Sequence, residues 1–269
     1  LELGARLAGG LAIFWYWFGY HIEGLQWMER LIERLDDQPT VYSAQLLYGA
    51  GVLQTFRDVR RGEQLVLRAI AAARELNDKP LLAWTLTFAG YTRLRDKAEA
   101  LATTGEGLSI FRELDFKPGI AQALNIMGEI SRFHGDDARA QVYYEEALAL
   151  SRQTGETRRI VMMMKNLAYL AQHRGDHADA LAQCREALRM SRDMNSRLDL
   201  ATGLIPLAGA LGLTGEPERA VRLFGASEAA LERMGAFHQR ADQPEVKRNI
   251  AAVRARLSEE AFATALAAG

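Results

Sequence analysis

A period of forty residues governs this chain. Three segments align without gaps: "IAQALNIMGEISRFHGDDARAQVYYEEALALSR" from Ile120, "IVMMMKNLAYLAQHRGDHADALAQCREALRMSR" from Ile160 and "LATGLIPLAGALGLTGEPERAVRLFGASEAALE" from Leu200. Gly135-Asp136, Gly175-Asp176 and Gly215-Glu216 fall at the same place in each. On either side of that pair, apolar residues recur at spacings of three and four, the signature of amphipathic helices. Glycine reaches the positive φ that ends a helix, and the acid after it suits the start of the next. The unit is therefore a helical hairpin. One hairpin cannot bury its own apolar face, so copies must stack to make a core.

Stacked hairpins make a demand that the remaining sequence can meet or fail. Two helices in close contact need small side chains where they touch. Extending the frame backwards puts that contact on Ala12, Gly51, Gly90, Gly128, Ala168 and Ala208 of the first helices. Its counterparts on the second helices are Gly24, Gly62, Ala100, Ala140, Ala180 and Ala220. Every position is glycine or alanine. Four residues before the small site, Leu47, Leu86, Leu124, Met164 and Leu204 share an apolar place. Met28, Val66, Thr104, Tyr144, Cys184 and Phe224 share another on the second helices, so Cys184 reads as core.

The stretch "LAIFWYWFGY", residues 11–20, is the first helix of the first hairpin. Its apolar run of about 14 residues falls short of the roughly 20 that span a bilayer, and glycines interrupt it. Phe14, Trp15 and Phe18 lie on a different face from Ile13, Tyr16 and Trp17, so the helix is apolar all round. The second hairpin covers one face. The rings of the other point to an upstream domain or to a partner copy.

Bulk properties narrow the function classes. The chain has 269 residues, is 49% hydrophobic and 25% charged, and carries a formal net charge of -1. That balance gives no basis for phosphate neutralisation, so direct nucleic-acid binding is not expected, nor is binding to an anionic membrane. With one cysteine, no intrachain disulfide can form, and a reducing, cytoplasmic setting is expected. The first residue is Leu1, with no signal-like segment, so a longer parent chain is expected.

"LNIMGEISRFHGDDARAQVYYEEAL" carries a large residue, then glycine, a glycine-acid turn, alanine, an aromatic and alanine-leucine, through Leu124, Met127, Gly128, Gly135, Asp136, Ala140, Tyr144, Ala147 and Leu148. This order resembles the tetratricopeptide-repeat (TPR) family. The resemblance covers about residues 5–235 and implies an all-α, right-handed α-α superhelix of about six hairpins with capping helices behind it. The repeats are placed at 1–40, 41–80, 81–119, 120–159, 160–199 and 200–241, as one array over 1–241, with capping helices over 242–269. Hairpins two and three have shortened turns without glycine, "FRDVRRG" and "LRDKAEA". More narrowly, "FWYWFGYHIEGLQWMERLIE", "GEPERAVRLFGASEAALERMGA" and "VRARLSEEAFATALAAG" resemble the carboxy-terminal repeat region of large bacterial regulators. Those proteins have a STAND-type ATPase module upstream and often a LuxR- or SARP-type output domain.

Chemistry-bearing motifs are sparse. No G-x-x-x-x-G-K-[ST] phosphate loop occurs, and "GEG" at Gly105–Gly107 lies in helical pattern without the strand a dinucleotide fingerprint needs. His173 and His177 are four apart, but Gly175-Asp176 puts a turn between them and defeats metal-ligand geometry, so they read as exposed or capping residues. Neither a catalytic residue nor a metal or other cofactor is expected. The TPR resemblance assigns the inner wall to first-helix residues: Tyr16, Trp17, Tyr48, Phe56, Trp84, Tyr91, Asn125, Glu129, Arg132, Lys165, Tyr169 and His173. Rings interspersed with polar groups suit a protein or extended-peptide partner, or a small effector. The same rings can equally pack against the neighbouring hairpin, so groove and core stand as two readings. The functional expectation is a non-catalytic binding or sensing scaffold, the regulatory arm of a multidomain regulator. A stand-alone peptide-binding adaptor is the alternative, and a homo-oligomer is compatible with both.

Overall fold

A computed structural model describes residues 1–36 and 38–269. Among them all regular structure is helical: α1 Glu2–Phe18, α2 His21–Ile32, α3 Val41–Thr55, α4 Val59–Glu75, α5 Lys79–Thr92, α6 Lys97–Glu113, α7 Lys117–Phe133, α8 Asp137–Thr154, α9 Thr157–His173, α10 His177–Asp193, α11 Arg197–Leu213, α12 Pro217–Met234, α13 Gln243–Arg254 and α14 Glu259–Ala267. The helices divide into two compact units, Leu1–His134 and Gly135–Gly269.

Turn chemistry explains why the helices stop where they do. Gly135, Gly175 and Gly215 have φ of 75°, 75° and 101°, the left-handed region that costs a Cβ-bearing residue most. A second left-handed residue recurs at the end of each later second helix: Asn77, Asp115, Gly155, Asn195 and Gly235. Asparagine and aspartate tolerate this region through local side-chain hydrogen bonding, so the periodic stop survives where glycine is missing. The turn acid then starts the next helix. Asp58, Asp96, Asp136 and Asp176 each accept a hydrogen bond from backbone N–H groups two or three residues on. The shortened turns of hairpins two and three keep this cap and dispense with the glycine.

The small-residue contacts hold where the two helices of a hairpin lie in one unit. A Cβ added at Gly51 would stand 3.1 Å from the Gly62 carbonyl, and one at Gly62 would stand 2.8 Å from the Thr55 backbone nitrogen. At Gly90 it would meet the Ala100 carbonyl at 2.6 Å. The first hairpin departs from the pattern. α1 packs more extensively along α3 than against α2. Ala12 accordingly packs over Gly49, and the space above Gly24 is filled by the Trp15 ring and Leu53.

In the second unit, Tyr169, Ile205, Leu211, Val221 and Phe224 form a core closed by Val246 and Val253 of α13 and Phe262 of α14. Ser258 caps α14 by accepting from Ala261 N at 3.1 Å. α14 lies against α12, while α13 lies against α11. Cys184 is fully buried, and burial pushes its thiol up to about 12. That leaves it protonated and unreactive at neutral pH.

Candidate functional site

The first helices carry the residues that the resemblance assigned to an inner wall, except Phe56, which follows α3 directly. In the first unit they gather into aromatic groups. Tyr16 meets Trp17 edge-on at 4.7 Å between centroids and Phe56 at 5.7 Å. His21 stacks on Phe56 at 5.5 Å and on Tyr16 at 6.0 Å. Its ring is buried, its Nε2–H donates to the Tyr16 carbonyl at 3.0 Å, and its Nδ1 has no hydrogen-bond partner. Burial lowers its pKa below the ordinary 6.5, the carbonyl contact opposing, so the ring is neutral.

Tyr48 contacts Phe88, which tilts against Tyr91. Trp84 instead packs edge-on against Phe111 and Phe116, inside its own hairpin. Tyr16, Trp17, Tyr48, Phe56 and Trp84 are half-buried, and Tyr91 is buried. Asn125, Glu129 and Arg132 line one side of α7, are all buried, and Asn125 Nδ2 donates to Glu129 Oε1 at 3.1 Å.

In the second unit the equivalent face is polar. Lys165 Nζ donates to Thr202 Oγ1 at 2.8 Å and lies 3.8 Å from Asp199 Oδ1. Asp199 is buried, with Arg158 Nε at 3.3 Å and the Ser196 hydroxyl donating to it at 2.6 Å. Tyr169, between the polar groups, belongs to the core. One turn further on, His173 is half-buried, not exposed as its sequence position suggested. Its Nδ1 is 2.7 Å from Asp137 Oδ2 and its Nε2 is 3.0 Å from Glu245 Oε2. Arg248 reaches both His173 Nε2 and Glu245.

The contact that the sequence did not disclose is α13. It lies along α11 and reaches back to α9, putting a segment of the chain on the first-helix face of its own unit. Asn249 Nδ2 donates to Gln172 Oε1 at 3.0 Å, and Gln172 Nε2 donates to the Pro206 carbonyl at 2.8 Å. Side chains at Gly209 or Gly212 would collide with Asn249 and Val253, so those two glycines form the floor on which α13 rests. Arg256 Nη1 donates to the Gly212 carbonyl at 2.6 Å, where α11 ends with carbonyls to satisfy. Two signals were present in the sequence: Glu245, Arg248 and Asn249 at i, i+3 and i+4, and two glycines three apart in α11. Nothing local pairs them, because they are more than thirty residues apart.

His173 is placed among carboxylates. With Nδ1–H donating to Asp137, Nε2 either accepts from Arg248 in the neutral ring or donates to Glu245 in the charged one. Both arrangements hold α13 in place. Among the described residues, no group of three or more side chains could hold a metal ion, and no helix is long and apolar enough to cross a membrane.

These features define an all-α protein built of stacked helical hairpins. Its fold is shared with solved structures at low sequence identity. BtubC (BKLC) from P. vanneervenii is 19% identical, with 83% of this chain and 92% of that one covered and a TM-score of 0.56. The apo form of RapI is 13% identical, covering 92% of this chain and 84% of its own, with a TM-score of 0.62. A Rap protein complexed with Competence and Sporulation Factor is 13% identical over 98% of this chain and 76% of that one, with a TM-score of 0.62. No family model matches the sequence, and no curated protein matches it.

Proposed function

We propose that the chain is a non-catalytic scaffold that receives a protein or peptide partner on the first-helix faces of its hairpins. The observation that carries this reading is α13. A helical segment bearing an acid, a base and an amide already lies on α9 and α11, held by His173, Gln172 and a glycine floor. The face is therefore built to hold a peptide segment through polar contacts, which exchange with water at modest net cost. The Rap protein of like fold was solved complexed with Competence and Sporulation Factor, a use of this fold for holding a factor. In the first unit, the half-buried Tyr16, Trp17, Tyr48 and Phe56 provide rigid contact area for such a partner.

The finer reading is that this scaffold is the sensor arm of a multidomain bacterial regulator with an upstream ATPase module. An open reading frame with neither an ATPase nor an output module would overturn that part. The stand-alone adaptor differs only in context. Both are tested by titrating a library of short extended peptides against wild type and a Trp17→Ala/Tyr48→Ala variant. Binders that lose at least tenfold in the variant support the aromatic face. Binding unchanged there would remove it from the site.

A further inference from the structure

Two hairpin turns depart from the others, and both do so with the same residue. In hairpins four to six the residue before the turn acid is Gly135, Gly175 or Gly215. In hairpins two and three it is Arg57 and Arg95. Neither arginine has a positive φ. The shortened turn explains why glycine is dispensable there, but backbone geometry does not explain arginine at both places.

Arg60 and Arg61 follow in the first turn of α4, which holds no acid. That end of a helix is the positive end of its dipole, so the chain itself disfavours cations there. Arg57, Arg60, Arg61 and Arg95 are all exposed, and among the described residues none of their side chains has a hydrogen-bond or ion-pair partner. The acids of the two turns are engaged elsewhere. Asp58 accepts from the Arg60 and Arg61 backbone N–H groups, and Asp96 from that of Glu99. Glu63 and Glu99 both bridge to Arg93, at 2.9 and 3.1 Å. The Arg93–Glu63 bridge also holds the two turns side by side, so the four free guanidinium groups share one edge of the first unit. At the matching turns of the second unit the arginines are paired: Arg139 with Asp136 at 3.8 Å, Arg174 with Asp179 at 3.7 Å and Arg219 with Glu216 at 2.8 Å.

We infer that this edge docks an acidic segment of a protein partner, with carboxylates on the arginines and an apolar side chain on the neighbouring rings. The inference rests on the reading that the first unit receives a protein or peptide, and it names that partner's chemistry. Guanidinium groups meet carboxylates as a two-bond fork, which suits arginine better than lysine. Phe56 directly precedes Arg57 and contacts Tyr16, which contacts Trp17, so half-buried rings continue the charged edge. α4 and α5 are packed neighbours. Such helices lie about 8–10 Å apart, a span that about three residues of extended chain cover. Acids at that separation reach successive turns. The net charge of -1 gives no wider field to hold a nucleic acid, so the attraction is confined to this edge.

Fluorescence anisotropy of the intact chain tests this, using a labelled peptide that joins a phenylalanine to a run of glutamates. Binding should weaken as salt rises. Arg57→Glu/Arg95→Glu should weaken it roughly tenfold or more, and so should glutamine for glutamate in the peptide, since charge-assisted pairs are lost. Arg185→Glu/Arg222→Glu makes the same charge change on exposed residues of the second unit and should leave binding as it was. All four arginines are exposed, so the helical circular-dichroism signal should be unchanged in both variants. No binding at low ionic strength, an equal loss in both variants, or tighter binding of a single-stranded oligonucleotide of the same charge overturns the inference. A loss confined to Trp17→Ala/Tyr48→Ala also overturns it while leaving the scaffold reading intact. That broader reading falls separately, if no member of the peptide library binds.

Discussion

The two units use one hairpin plan for different faces. In Leu1–His134, the first helices present rings that stack on one another, Tyr16 with Phe56 and Tyr48 with Phe88. In Gly135–Gly269, the corresponding positions carry Lys165, Gln172 and His173, and α13 lies on them. The difference shows what the repeat leaves free. Small residues at helix crossings and left-handed stops fix the hairpin, and they say nothing about the side chains between. An aromatic face covers itself by stacking rings. A polar face with a glycine floor needs hydrogen-bonding partners, which the chain supplies from its own C-terminal region.

The four tryptophans all fall in the first unit, so their fluorescence reports on it alone, while circular dichroism reports on both. The largest effect is expected from Gly51→Leu, which drives a side chain into the Gly62 carbonyl and Val66. Overpacking against backbone should cost about 3 kcal/mol. The fluorescence midpoint in urea should fall ahead of the dichroism midpoint, and coincident shifts would break the two-unit comparison. Gly209→Leu should instead act on α13 by colliding with Asn249 and Gln172, at about 2 kcal/mol. Amide exchange over 243–254 should accelerate with the tryptophan signal unmoved.

Glu245→Gln weakens the same contact more gently, by about 1.5 kcal/mol, since a charged partner is lost from between His173 and Arg248. Exchange should rise over α13 and nowhere in the first unit. His21 sharpens the comparison from the other side. Its pKa is lowered in the folded state, so above about pH 6.5 the ring is neutral in both states and its contribution is whole. Below that, the unfolded chain takes up a proton that the folded chain refuses. Stability then falls, by at most about 1.4 kcal/mol per pH unit, until the folded ring protonates. His21→Phe should flatten that slope in urea titrations at pH 5 and pH 8. The smallest effect is at Cys184: iodoacetamide should not modify the native protein, and modification should appear only with unfolding.

Much of the fold could be read in the chain before any coordinates. Gly135, Gly175 and Gly215 marked the hairpin turns, and the glycine-alanine pairs marked where helices touch, because both requirements are local or periodic. Two parts escaped that reading. Asn77, Asp115 and Asn195 perform the same stop as Gly155 and Gly235 through a different residue type. The first hairpin opens so that α1 can lie along α3, a choice made by Trp15 filling the space over Gly24.

The candidate site was legible only as a set of positions. The resemblance marked twelve first-helix residues, and the structure sorts them by burial. Tyr91 and Tyr169 are buried, Trp84 packs on Phe111 of its own hairpin, and His173 joins a network with Asp137, Glu245 and Arg248. Residue type could not make that division, since a ring has the same apolar surface whether a neighbour or a ligand covers it.

Sequence alone determined the repeat and close contacts such as those of the second and third hairpins, because those depend on residues near one another or on a fixed period. Tertiary structure decided which face the chain's own α13 occupies. His173 and Glu245 are 72 residues apart, and no periodicity links them. Only the packing of α13 onto Gly209 and Gly212 brings an acid from one end of the unit to a histidine at the other.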